Sequence, residues 1–334
     1  MPSRFVIAVV LSSILPVRVT YAQQVPCPPV STEQVVHDAV ISGAAFNDGY
    51  DDGMCGVGGE IYRLHRDQQL STSIMRVAPD GSTSVFALPN DDVGVTQIAP
   101  TPAGLNVLSH GRSYRMYHFD REGRLLNQHQ TSFVFTPSEM VVLPSGKTVA
   151  VGFRQLKNPM RVDLKFEGAV LDTDDQVVIG FDFPLTPAGG RWTPWMWGSE
   201  GKGMAAGDGV AYLILQSDHT FGIATITEKG HVDVNILPVP PNSATRYHNQ
   251  WLFGPGVAVE VYHDPSERPH PIDRFDEYDL ASGQKLATKS APGTGFAFGC
   301  YSGNQVSMLA HSAHVDPARH LSPNALRLVT SYLK

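Results

Sequence analysis

An all-β fold built from repeated four-stranded antiparallel sheets is what this sequence predicts, and three observations carry it. Tight-turn signatures centred on Gly59, Gly104, Gly146, Gly209, Gly256 and Gly303 recur at intervals of 45, 42, 63, 47 and 47 residues. Between them lie short runs rich in Val, Ile, Leu, Phe and Tyr, bounded by Gly, Pro, Asp or Ser, which read as strands. A second set of turns alternates with the first: Pro79-Asp80-Gly81, Arg121-Glu122-Gly123, Thr173-Asp174-Asp175, Glu228-Lys229-Gly230 and Ala281-Ser282-Gly283. Gly and Asp supply the positive φ that tight hairpins need. A period in this range is that of a propeller blade, so the expected architecture is a six-bladed β-propeller.

Alternating the two turn sets gives one unit: inner strand A, turn, strand B, loop, strand C, turn, outer strand D. In the second unit these fall near Val95–Pro100, Leu105–Ser109, Tyr114–Asp120 and Arg124–Gln130. The third repeats the order near Glu139–Pro144, Lys147–Phe153, Lys165–Asp172 and Val177–Pro184, and the fourth and fifth follow through Pro240 and Pro292. The sixth supplies Gly295–Ser302, Gln305–His311 and Ala325–Leu333 and lacks a D strand. The spare run Gln34–Ile41 lies ahead of the first unit. Placed as the outer strand of the last blade, it would close the ring and leave no exposed sheet edge. A seven-bladed ring needs more strands than the turn signals supply.

The first residues read as an export signal. Arg4 is the positive n-region, Phe5 to Leu15 the apolar stretch, and Thr20-Tyr21-Ala22 a small-residue cleavage site. Residues 1–22 are therefore expected to be removed, leaving residues 23–334 as one domain in a periplasmic or secreted protein. The apolar run is short for a membrane anchor, and no later segment is long and apolar enough to span a bilayer. The formal charge of −7, with both signs mixed along the chain, excludes the basic stripe of a nucleic-acid binder. The expected state is a monomer whose partner is a small molecule, a glycan or a protein.

The segments Leu143-Pro144-Ser145-Gly146-Lys147 and Ala99-Pro100-Thr101-Pro102-Ala103-Gly104, with the Asp/Glu-Gly hairpins, resemble the strand–turn–strand signatures of six-bladed propellers of the NHL and TolB-like kind. The resemblance spans almost the whole mature chain but specifies blades, not an activity. Such folds host hydrolases, quinoprotein oxidoreductases and pure binding scaffolds alike.

Three cysteines, Cys27, Cys55 and Cys300, allow at most one intrachain disulfide in an oxidising compartment. Cys55 and Cys300 precede the A–B turns of the first and last units, which are neighbours in a closed ring. Their pairing would staple that junction, with Cys27 as the competing partner.

Candidate chemistry gathers where D–A and B–C loops surround the channel mouth. Strands B end in a basic or imidazole side chain: His65, His110, Arg154, His219, His263 and His311. A ring of these could hold an anion or a metal, or simply form a solvated rim. The long interval between the third and fourth turns packs Trp192, Trp195 and Trp197 into one D–A connection. Such indoles offer either a stacking surface or a buried lid. Asp48, Asp51 and Asp52 form an acidic, Gly-rich loop, either a solvated turn or a set of Ca²⁺ ligands. Glu139 and Asp208 are isolated carboxylates near inner strands. There is no Gly-x-Ser-x-Gly elbow, no His-Glu-x-x-His and no phosphate-binding loop.

The function expected is a ligand-binding or protein-interaction module with no certain cofactor. The alternative is a metal-dependent hydrolase of the lactonase or esterase kind, using Ca²⁺ or another divalent ion held by these histidines and one inner carboxylate. A quinoprotein dehydrogenase is a third possibility.

Overall fold

The computed structural model describes residues 35–45, 49–67, 72–89, 94–156, 163–194, 204–207, 209–217, 220–239, 247–263, 272–292, 296–311 and 325–334. They form strands and turns only. No helix among them is long and apolar enough to cross a membrane.

Six antiparallel sheets follow one another along the chain. The first blade is β2 (Gly49–Cys55), β3 (Ile61–Asp67), β4 (Thr72–Val77) and β5 (Thr83–Phe86). The second is β6 (Gly94–Thr101), β7 (Gly104–His110), β8 (Tyr114–Asp120) and β9 (Leu125–Thr131). The third is β10 (Thr136–Val142), β11 (Thr148–Leu156), β12 (Asp163–Leu171) and β13 (Val177–Asp182). The fifth is β19 (Tyr247–Gly254), β20 (Val257–His263), β21 (Ile272–Asp279) and β22 (Lys285–Pro292). In the sixth, β23 (Phe296–Tyr301), β24 (Gln305–His311) and β25 (Ala325–Tyr332) are ordered with β1 (Val35–Ala45) next to β25.

The fourth blade departs from the simple unit. Its inner edge comes in two pieces, β14 (Thr193–Pro194) and β15 (Met204–Gly207), both paired with β16 (Val210–Ser217). β17 (Thr220–Thr227) and β18 (Val232–Leu237) complete it. Part of the tryptophan-bearing connection is thus inner strand rather than free loop.

The turn residues explain the regularity. All six A–B glycines have positive φ, as do the C–D glycines Gly81, Gly123, Gly230 and Gly283. Side chains at the hairpin entries tie the same turns: Asp172 Oδ1 accepts from the N–H of Asp174 (3.0 Å) and of Gln176 (2.9 Å). Asp120 and Asp279 do the same in their own blades. These local bonds compete well with water and set the hairpin register.

Apolar faces of successive blades meet in separate seams. Tyr62, Leu64 and Ile74 of the first blade pack on Val95, Leu105 and Tyr117 of the second. Val149, Val151 and Val170 of the third pack with Leu213, Ala224 and Ile226 of the fourth. The seam between first and last blades joins Ile61 and Val77 to Leu309 and Leu328. Inner strands β2 and β23 lie side by side, so the first and last blades are neighbours. Cys55 and Cys300 are bonded across this junction, Cα atoms 5.0 Å apart and 245 residues apart in sequence.

Bulges interrupt the A–B pairing of four inner strands at a similar level, at Val95/Gln97, Pro137/Glu139, Tyr247/Gln250 and Phe296/Phe298. In the third blade the bulge brings Gly152 against the Thr136 carbonyl, where an added Cβ would lie impossibly close.

Three outcomes follow. Gly152→Ala should lower stability by about 1–3 kcal/mol, because the obstacle is backbone that cannot swing aside; denaturant titration checks this. Removing the disulfide, by reduction or Cys300→Ser, should cost about 2–5 kcal/mol given the long loop it closes. If β1 closes the sixth sheet, a proline at Ala39, opposite Leu328, should lower the melting temperature, and an unchanged melt would remove β1 from that role.

Candidate functional site

The inner strands leave a cavity of about 770 Å³ at the A–B end of the channel. All six blades line it, through segments around Met54, Pro100, Val142, Ala206, Phe253 and Tyr301. Among the described residues the wall is glycine, proline and apolar or aromatic side chain with Tyr212, Tyr301 and Ser302, and none of them is a carboxylate, amine, guanidinium or imidazole. The Tyr301 hydroxyl donates to Glu277 and the Ser302 hydroxyl to the Gln305 carbonyl. A volume in this range suits a compact organic molecule.

Buried carboxylates stand behind this wall, Glu277, which accepts from the Tyr301 hydroxyl, and Glu60. Glu60, 2% exposed, follows the Gly56-Val57-Gly58-Gly59 turn of the first blade. Its side chain folds over the turn, so that a Cβ on Gly56 or Gly58 would strike it. Arg76 at 3.8 Å and Arg121, from the second blade, at 3.9 Å balance its charge. Tyr62, fully buried beside it, has its phenol pushed up to about 12, by burial first and by the negative charge of Glu60 second.

A different level of the inner strands is polar. Gln97, Glu139 and Gln250 are buried on β6, β10 and β19, each directly after a bulge. Sequence reasoning singled out Glu139 alone. The signal for the set was a polar residue six or seven positions ahead of each turn glycine.

The rim residues are only partly brought together. His110 is exposed and stacks at 4.5 Å on Tyr114, which meets Phe133 edge-on at 5.3 Å. Burial holds the Tyr114 phenol above its usual range. Tyr114 and Phe133 were missed as rim residues because they read as strand and linker hydrophobics. Arg154 is engaged by Glu167 at 2.9 Å, which Lys165 also approaches at 3.4 Å. His65, His263 and His311 sit at or near the ends of β3, β20 and β24 as expected, but their side chains lie outside the described residues, as does His219.

Trp192 corrects one expectation. It is 3% exposed, in the apolar seam between third and fourth blades, its ring edge 3.2 Å from where a Cβ on Gly222 would stand. Its indole is a packing element with no face left for a ligand. Trp195, Trp197, Asp48 and Asp208 lie outside the described residues, as do the side chains of Asp51 and Asp52. Among the described residues, the group with metal-ligating geometry is His118, His129 and Asp175, on the outer side of the ring between second and third blades.

Fold and cavity together define a six-bladed β-propeller with an apolar central site. No family model matches the sequence, and no curated protein matches it. Among solved structures, a luciferin-regenerating enzyme is similar at 9% identity and TM-score 0.52, over 88% of this chain and 94% of that one. A streptogramin B lyase aligns at 9% identity and TM-score 0.47, over 89% and 98% of the two chains. The virginiamycin B lyase of Staphylococcus aureus aligns at 14% and 0.43, over 85% and 82%. At these identities the likeness concerns fold alone.

The Tyr62 shift has a checkable sign. An unfolded tyrosine titrates near the ordinary value of about 10, so the stability Tyr62 contributes is intact below that pH and lost as pH rises through about 12. The loss amounts to about 3 kcal/mol at most. Urea unfolding across this alkaline window should show a steeper decline in wild type than in Tyr62→Phe.

Proposed function

We propose that the chain is an exported ligand-binding propeller whose ligand seats an apolar body in the A–B end of the channel. The observation that carries this reading is the composition of the cavity wall: six blades contribute, and none of the described lining residues is a carboxylate, amine, guanidinium or imidazole. Such a wall favours transfer of apolar surface out of water. The backbone groups near its glycines supply orientation. The disulfide supports the exported location, since such bonds persist in oxidising compartments.

The hydrolase reading has less support. It needs several rim histidines and an inner carboxylate converging on one ion. Of the described candidates, His110 is stacked on Tyr114 and Arg154 is held by Glu167.

A neutral, environment-sensitive naphthalene dye is the test probe. Wild type should bind it saturably, one per chain, and Ala206→Trp, which fills the cavity, should weaken binding by roughly tenfold or more, about 1.4 kcal/mol. Chelator should change nothing. Equal binding by the plugged variant would remove the channel as the site, and chelator-sensitive ester hydrolysis would favour the alternative.

A further inference from the structure

In the C–D hairpins of blades one, two, four and five, the residue of positive φ is a glycine: Gly81, Gly123, Gly230 and Gly283. In the third blade it is Asp175, with φ of 60°, the sole non-glycine of positive φ among the described residues. Packing explains the glycines. A Cβ on Gly123 would meet the Val85 carbonyl at 2.8 Å, one on Gly230 the Ile179 side chain at 2.7 Å, and one on Gly283 the Asn235–Ile236 segment at 3.2 Å. The hairpins of Gly123, Gly230 and Gly283 press on the outer strand of the preceding blade, and a Cβ on Gly123 or Gly230 would force its neighbour to shift. Asp175 stands where its counterparts place a glycine, at a positive φ that an aspartate tolerates, and its side chain reaches across the seam to the preceding blade.

That carboxylate is 2% exposed and faces two imidazoles of the second blade. Its Oδ2 lies 2.7 Å from His118 Nε2 and 2.8 Å from His129 Nδ1. Register explains why the imidazoles meet. His118 on β8 is opposite Asn127 on β9, and His129, two residues further, shares that face. Asn106 on β7 is opposite His118 and places its Oδ1 2.9 Å from His118 Nδ1.

The hydrogen bonds leave a question of charge. With Nδ1–H donating to Asn106, the Nε2 of a neutral His118 presents a lone pair to a carboxylate oxygen. Two lone pairs at 2.7 Å repel, so in this tautomer a cation, either a proton or a metal ion, stands between them; in the other tautomer Nε2–H donates to Asp175 and the Asn106 amide turns its N–H to Nδ1. The donor set favours the metal: two imidazoles and one carboxylate are the ligands of a borderline divalent ion, and the Asn106 contact to the distal ring nitrogen is the support that metal-bound histidines receive. Both rings are partly exposed, which gives an ion its entry and leaves a position for water.

We propose that His118, His129 and Asp175, oriented by Asn106, form a binding site for one divalent first-row transition ion, with Zn²⁺ as its test case, clasping the second and third blades. Tetrahedral ligands about 2.0–2.1 Å from zinc stand about 3.3 Å apart, so the donors must spread by about half an ångström. The partly exposed rings can make that movement. This site is independent of the channel and stands whether or not the channel binds a ligand.

The experiment is a Zn²⁺ titration of the chelator-stripped full chain by calorimetry, with Co²⁺ absorption reporting coordination. Wild type should take up one ion and gain melting temperature on saturation. Asp175→Gly installs the residue the sibling hairpins use, so it should fold, and it should lose the site. Asn106→Leu should keep the ligands but bind roughly ten- to hundredfold more weakly. If wild type takes up no Zn²⁺, or if Asp175→Gly binds it with equal stoichiometry and affinity, the proposal is overturned and the cluster is a hydrogen-bonded clasp.

Discussion

Each blade has two apolar faces and can cover them only with the blades beside it. Everything else in this structure depends on that requirement. A single four-stranded sheet such as β10 to β13 carries Val149, Val151, Phe166 and Val170 buried at once, and no partner exists for them except the adjoining blades. The ring is the solution in which every face is covered. It also forces residues 245 positions apart in sequence to become neighbours at Cys55 and Cys300. A bond there restricts the unfolded chain more than a local one would.

The same requirement fixes where function can reside. Side chains on the inner strands are drawn into seams, so the channel is walled largely by backbone, glycine, proline and small or apolar groups. Charge is displaced outward, to Glu60 behind the wall and to the ion pairs of Arg154, Lys165 and Glu167 at the rim.

The outer seams are where blades differ. At Gly123, Gly230 and Gly283 a glycine hairpin lies close on the preceding outer strand, against the Val85 carbonyl, the Ile179 side chain and the Asn235–Ile236 segment respectively. The seam between second and third blades replaces this with polar groups: Asp175 against two imidazoles, and the Gln176 amide donating to the Gln130 carbonyl at 3.1 Å. Dry packing and polar bridging are alternative ways of joining neighbours, and this chain uses both.

Local chemistry made the strands and turns legible in the sequence. Turn glycines need positive φ, short β-branched runs need pleated neighbours, and both are properties of a few adjacent residues, so strand boundaries such as Tyr114–Asp120 and Gln305–His311 could be read directly. The fate of individual side chains could not. Trp192 read as either a stacking surface or a buried element, and it is a seam residue, because burial is decided by a blade that arrives later in the chain. Asp175 looked like an ordinary turn residue, one of two aspartates in a hairpin. Its meeting with His118 and His129 depends on the tilt of one blade against another, 46 to 57 residues apart in sequence. The sequence by itself determined the repeating sheets and their count. Only the tertiary structure decided which residues face the channel, the seams or each other, because those relations are set by packing between blades and leave no trace in local periodicity.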